Sequence, residues 1–395
     1  MIDAAPVPRF ARDRFTWLAY LMLAYFAYQQ AALGPLMPFL RDELHLSYTV
    51  GGLHLSAFAL GMVLAGLLGD ALVQRWGRRR VFWGGGAGLA LGSLLFVAGH
   101  HPALTIASAL LMGAPGTLLL IEVQATLSDR HGAQRAIALT ESNVAASLAA
   151  GLAPLLIGNL ERAGIGWRGA LILGVLGWGA LAWRGHAVPI PPHTPRPLVT
   201  GRAARLPAAF WAYWLVVFLC VAIEWSVIFW GADFLETSVG LRKVDASTLM
   251  SVFFAAHLLG RAAGSRLARR VPVGALLLTA ALIAVAGFLP FWLASATPLN
   301  IAGLFVAGLG IANLFPLTLS AASNIVTREQ ADVASSRVTL ASGLAILIAP
   351  QILGALADAL TLKSAYGVVA AFLIVATGAI LAANRRAGRP AVAVA

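Results

Sequence analysis

A few of the acidic residues in this chain stand where charge is expensive. Glu122 and Glu141 lie in "LLLIEVQATLSDRHGAQRAIALTESN" (118–143), each flanked by apolar residues. Their midpoint falls at His131–Gly132, so antiparallel helices meeting there set both carboxyls at one depth. Each lies about nine residues from that turn, roughly 14 Å at 1.5 Å rise per residue. A carboxylate so deep in hydrocarbon costs about 2.5–3.5 kcal/mol on insertion scales. Burial beside a second acid also raises a carboxyl's affinity for its proton. The chemistry expected is therefore reversible protonation, with Glu122 the carrier and Glu141 or Arg261 its modulator. A static reading exists too: Glu122 paired with Arg261, or hydrogen-bonded to Gln124 and Asn143.

A third acid leaves the identity of the carrier open. "VAIEWSVIFWGADFLE" (221–236) sets Glu224 beside Trp225, with Phe229 and Trp230 about a turn further on. Counted from Pro207, Glu224 is roughly 25 Å into its helix. Aromatic faces give apolar contact and a carboxylate accepts hydrogen bonds, which suits a polyol or sugar. An organic cation would suit the same pair. Asp233 and Glu236 are expected at the outer surface. His257 and Arg261 are four apart, hence on one helix face. Gln29 or Gln30, Asn143 and Asn313 could hydrogen-bond a polar solute, or could join helices to one another. No Gly-Lys nucleotide loop, zinc set or nucleophile triad occurs, so no enzyme, cofactor or metal is expected.

The elements holding these residues are apolar helices. The chain has 395 residues, 59% hydrophobic and 11% charged, with mean hydropathy +0.83. Soluble domains carry about 25% charged residues. Twelve apolar helices are expected near 15–40, 47–71, 80–99, 103–128, 133–160 and 168–187, then 208–235, 244–268, 272–294, 299–324, 333–360 and 363–384. "VPIPPHTPRPLVTGRAARLP" (188–207) is rich in Pro and Arg and reads as a linker between an N-terminal unit, 1–187, and a C-terminal unit, 208–395. Of 28 Lys and Arg, 22 fall on the side of both termini and the linker, which marks that side as cytoplasmic. The N-terminus lacks the apolar core of a signal peptide. The net charge of +12 is explained by these loops facing anionic lipid, and no nucleic-acid partner is expected. The single cysteine, Cys220, lies in an apolar run.

The two units look duplicated. "GDALVQR" from Gly69 and "GSRLARR" from Gly264 share Gly, Leu and Arg at one spacing, and Ala153, Pro154 and Gly158 recur as Ala349, Pro350 and Gly354. "AGLAPLLIG" resembles the Gly-Pro motif of drug–proton antiporters, but its recurrence in "LIAPQILG" favours a shared packing bend. Paired six-helix repeats build transporters that rock about a central solute site.

The loop "DALVQRWGRRR" resembles the major facilitator superfamily signature Gly-x-Leu-x-Asp-Arg-x-Gly-Arg-Arg. Leu72, Arg75, Gly77, Arg78 and Arg79 fit it, while Asp70 stands in place of Gly and Gln74 in place of Asp. The resemblance implies an all-α membrane protein of twelve transmembrane helices, with this loop gating the motion of the halves. Within that superfamily the chain is similar to the fucose–proton symporter branch. "IEVQAT" supplies its fourth-helix acid, Glu122, and "LTESNV" its fifth-helix amide, Asn143. Gly260, Arg261 and Gly264 match its eighth helix, and Phe315, Pro316 and Ser320 its tenth. The branch's first-helix acid is missing, with Gln29 and Gln30 in that region.

The expectation is a proton-coupled symporter of a small hydroxylated solute such as a monosaccharide. It would act as a monomer in the cell inner membrane, with only solute, protons and lipid as partners. Glu224, Trp225, Trp230, His257, Asn143, Asn313, Gln29 and Gln30 are the expected solute contacts. A proton-coupled drug or metabolite exporter of the same fold, and a transporter-like receptor, are the rival readings.

Overall fold

The computed structural model describes residues 10–192, 206–327 and 330–387. Most of the linker, with its Arg196, Arg202 and Arg205, lies outside the described residues, as do Arg9, Arg328 and Arg389. Among the described residues regular structure is helical throughout.

The first seven helices are α1 (Arg14–Ala32), α2 (Met37–Leu44), α3 (Tyr48–Trp76), α4 (Arg78–Ala98), α5 (Pro102–His131), α6 (Arg135–Arg162) and α7 (Arg168–Gly185). The later seven are α8 (Ala208–Thr237), α9 (Lys243–Leu267), α10 (Val273–Leu293), α11 (Thr297–Ser323), α12 (Ala331–Ala359), α13 (Leu362–Ala365) and α14 (Gly367–Ala387). The expected helix 15–40 is in fact two. Gly34 and Pro35 interrupt it, because proline has no N–H to give and disfavours helical backbone before it. α1 and α3 begin where a side chain takes one of the first free N–H groups: Asp13 accepts from Thr16 N at 2.8 Å, and Ser47 from Val50 N at 3.2 Å.

Among the described residues nine segments are long and apolar enough to cross a membrane, and one of them, Pro102–Arg162, runs through α5, a 3₁₀ turn and α6. α1 and α7 fall outside this group. α1 is nevertheless among the most enclosed helices, with Tyr20, Tyr25, Tyr28 and Gln29 all buried; those polar tips lower its hydropathy while its position shields them. α8 is its counterpart among the later helices, buried along most of its length. Cys220 on α8 is enclosed, 3.9 Å from Thr318 Oγ1.

Within each half, glycine lets helices touch backbone to backbone. A Cβ on Gly113 of α5 would stand 2.1 Å from Phe58 O of α3, and one on Gly287 of α10 would stand 2.1 Å from Ala307 N of α11. The first and later helices meet chiefly through α6 against α9 and α3 against α12. The polar links between them all lie toward the helix ends opposite the termini, among the described residues. Arg41 Nη1 meets Asp233 at 2.5 Å, Arg162 meets Asp245 at 2.9 Å, and Lys243 pairs with Asp42. Asp358 of α12 accepts from Tyr48 N and Thr49 N, 2.7 Å each, and so caps α3 from the other half of the chain. Ser56 Oγ donates to Leu347 O at 2.8 Å. That end is closed.

Candidate functional site

Four helices, two from each half, surround a cavity of about 170 Å³. α1 brings Gln30, α6 brings Asn143 and Ser147, α8 brings Glu224 and Trp225, and α9 brings Phe254, His257 and Arg261. The i, i+4 spacing of His257 and Arg261 aims both rings of charge at α8, as helix geometry requires. His257 Nε2 stands 3.3 Å from Glu224 Oε1, and Arg261 Nη2 stands 3.7 Å from the same oxygen. The side chains of Glu224 and His257 are 13% and 8% exposed, but that of Arg261 is 39% exposed, which leaves its head open to the cavity. Neither ring nitrogen of His257, nor Arg261 Nε, has a hydrogen-bond partner. The Arg261 contact is thus a charge attraction, and the His257 contact is close to hydrogen-bond length without its alignment. Cys220, one helical turn before Glu224 on α8, is enclosed beside Thr318. The acid and the imidazole can exchange a proton beside a guanidinium that stays charged.

Of the solute contacts expected from sequence, Gln30, Asn143, Glu224, Trp225 and His257 gather round this cavity, joined by Arg261. The others lie elsewhere. Gln29 is fully buried and donates to Leu171 O of α7 at 3.3 Å. Trp230 is likewise enclosed, giving its indole N–H to Pro350 O at 2.8 Å and its edge to Tyr48. Asn313 donates to Gly260 O at 2.9 Å and ties α11 to α9. Each amide or indole satisfies a neighbouring helix rather than a solute.

The two acids that looked alike in sequence have separate arginines, and Arg261 is neither. Glu122 is 4% exposed and meets Arg78 Nε at 3.0 Å. Arg78 also reaches Asp129 at 2.9 Å and Pro192 O at 3.2 Å. Glu141 accepts from Arg12 at 2.5 and 2.7 Å and from Tyr20 at 3.0 Å. The expected link from Arg261 to either acid is replaced by its pairing with Glu224.

Within the loop expected to gate, Gly77 has φ +83° and starts α4, Arg78 is buried as described, and Arg79 donates to His186 O at 2.5 Å. Asp70 and Arg75 are exposed. Asp233, expected at the outer surface, is fully buried against Arg41, whose guanidinium also lies 3.5 Å over the Tyr48 ring. Sequence offered no sign of this pair, because its partners are 192 positions apart.

A model of the Major Facilitator Superfamily matches residues 19–301 and 232–393. The chain belongs to the major facilitator superfamily. As a facilitator it is a multi-pass membrane transporter and not an enzyme. It is 27% identical over 368 residues to an uncharacterized MFS-type transporter of Yersinia pestis, covering 90% of this chain and 92% of that one. In fold it is similar to a bacterial homolog of the human lysosomal transporter Spinster, solved in an inward-facing and occupied conformation. That likeness has TM-score 0.77 and 15% identity over 96% of this chain and 98% of the other. The nucleoside transporter NupG is similar at TM-score 0.77 and 12% identity, covering 94% and 100%.

Proposed function

We propose that this facilitator is a proton-coupled secondary transporter of a small hydroxylated solute, working by alternating access between two six-helix bundles of twelve spans in all. Both termini face the cytoplasm of a cell inner membrane, as the Lys and Arg distribution favours. The observation that carries the reading is the Glu224–His257–Arg261 row on the wall of a cavity between the halves. Residues placed there sense both the solute and the relative position of the bundles.

Glu224 is the proton carrier in this proposal, in preference to Glu122. Glu122 shares Arg78 with Asp129 of its own helix and is not among the residues lining the cavity between the halves. Glu224 has a loose partner in Arg261 and an imidazole at hydrogen-bond range, so its charge changes with little rearrangement. With the termini cytoplasmic, the closed end opposite them supports a cytoplasm-facing form. A drug exporter working on cations is less well supported, because Arg261 occupies the same wall as Glu224.

The test is proton uptake in proteoliposomes, read with a trapped pH dye while monosaccharides, polyols and hydroxy acids are offered outside. Glu224→Gln should abolish solute-driven proton uptake and solute accumulation, by at least tenfold, while sparing solute exchange. Glu122→Gln should keep coupled uptake. Accumulation by the Glu224→Gln protein would sink the assignment.

A further inference from the structure

We propose that the cavity between α1, α6, α8 and α9 recognises a small hydroxylated carboxylate, whose carboxylate is taken by Arg261 and whose hydroxyls are taken by Asn143 and Gln30. This rests on the transport reading above and names its substrate class. Three features of the cavity point to an anion.

The first is an underused guanidinium. Arg261 offers five N–H donors in a planar fork that matches a carboxylate edge. Among the described residues it has one ion pair, at 3.7 Å, and no hydrogen bond; its Nε is shut from solvent and unpartnered. Both nitrogens of His257, one turn earlier and 6% exposed, lack hydrogen bonds as well. A guanidinium N–H and an imidazole on one wall, both without a hydrogen-bond partner, suit an acceptor-rich group.

The second is the charge count. Among the lining residues Glu224 is the one acid and Arg261 the one permanent base. When Glu224 takes up its proton, Arg261 loses its counter-charge within an apolar wall. A sugar or polyol would leave that charge unpaired, and a cation would add to it. A carboxylate replaces the lost partner, and the loaded site becomes neutral, the form in which charges leave water at least penalty. Proton and anion then enter together because each removes the other's obstacle.

The third is shape. Trp225, Phe254 and Ile228 give the carbon skeleton an apolar wall. Asn143 spends one N–H on Leu139 O at 2.7 Å and keeps its other N–H and its oxygen, while Gln30 makes only a weak contact to Met62 sulfur at 3.6 Å. Both amides therefore have capacity for hydroxyls. The cavity of about 170 Å³ compares with roughly 10–15 Å³ for one water, so a solute of about ten non-hydrogen atoms fits.

The experiment uses matched pairs on the purified full-length protein: D-glycerate against glycerol, and D-gluconate against D-glucose, with tetraphenylphosphonium as the cation. Calorimetric binding in detergent is read beside proton uptake in proteoliposomes. At least one acid should bind and drive proton uptake, with its neutral partner tenfold weaker or silent. Arg261→Gln should weaken acid binding at least tenfold, Arg261→Lys should weaken it less, and Glu224→Gln should keep binding while losing proton uptake. A single elution volume for each variant separates loss of binding from loss of fold. If a neutral partner binds as well as its acid, if the cation alone binds, if both acids are silent, or if Arg261→Gln binds normally, the anion assignment is overturned. Proton uptake driven by glycerol or glucose would then leave the transport reading standing, whereas absence of uptake with every compound would remove that reading as well.

Discussion

Glu122 and Glu224 are both glutamates in apolar helices, and only their arginines tell them apart. Glu122 is held inside the first half by Arg78, which is 3% exposed and also bound to Asp129. Removing one member of a buried pair strands the other and costs about 3–5 kcal/mol. Arg78→Gln should therefore lower the melting temperature in detergent sharply, because Glu122 and Asp129 both lose its guanidinium, while Arg79→Gln at the exposed neighbour should change it little. Equal melting of the two variants would contradict this account of the loop. The acids themselves were legible in sequence, since a carboxyl in an apolar run stands out. Their partners were not: depth along a helix follows from counting residues, but azimuth and the reach of a long Arg side chain do not. Arg78 sits in the quoted loop signature, so the signal for its buried role was present without its direction. Gln29 and Gln30 make the same point on a smaller scale, since adjacent positions on a helix face different ways and only Gln30 meets the cavity.

At the scale of helices, the duplicated Ala-Pro-x-x-x-Gly segments of α6 and α12 do equivalent work. Pro154 and Pro350 lie inside their helices, and four residues on, Gly158 and Gly354 are where the halves of the chain touch. A Cβ on Gly158 would fall 1.9 Å from Thr248 Oγ1 and 2.8 Å from Val244 O of α9. One on Gly354 would fall 2.6 Å from Tyr48 O at the start of α3. Gly158→Val and Gly354→Val should each prevent full closure at the end opposite the termini and cut transport at least tenfold, with folding retained because each lies between halves. Reporter cysteines placed at that end should label faster in both variants; unchanged labelling would mean that the contact is not a hinge surface. The repeat was readable as a spacing, and so were most helix positions, because apolar runs have unmistakable lengths. The break at Gly34–Pro35 was missed because strong hydropathy on both sides masked a turn.

For the whole molecule, the polar contacts gathered at one end set which way the cavity opens. Arg41–Asp233 is the most enclosed link, with side-chain exposures of 15% and 0%. Arg41→Ala leaves Asp233 unpaired, and the closed end should then open more often, seen as faster modification of cysteines introduced on α2 or at the end of α8. Unaltered reactivity would show that the pair fastens nothing. Asp42 and Lys243 form an outer link of a different kind. The Lys243 ammonium hydrogen-bonded to Asp42 holds that carboxyl below the usual carboxylate range. A lowered carboxyl stabilises the closed form above its ordinary pKa of about 3.9 and ceases to do so as pH falls through the lowered value. Closure should thus be flat from about pH 5 to 8 as far as this link is concerned, and Asp42→Asn should weaken it throughout that range. The effect should be under about 1 kcal/mol, because Asp42 is 72% exposed.

The lone thiol of this protein has a practical corollary. Cys220 lies wholly inside, against Thr318, where aqueous maleimides do not reach. The native chain is thereby a silent background for spin labels, dyes and crosslinkers: a pair of cysteines set across the two halves would report inter-label distances directly. No native residue would first have to be replaced, and the motion proposed above could be timed on a chain carrying only the reporter cysteines.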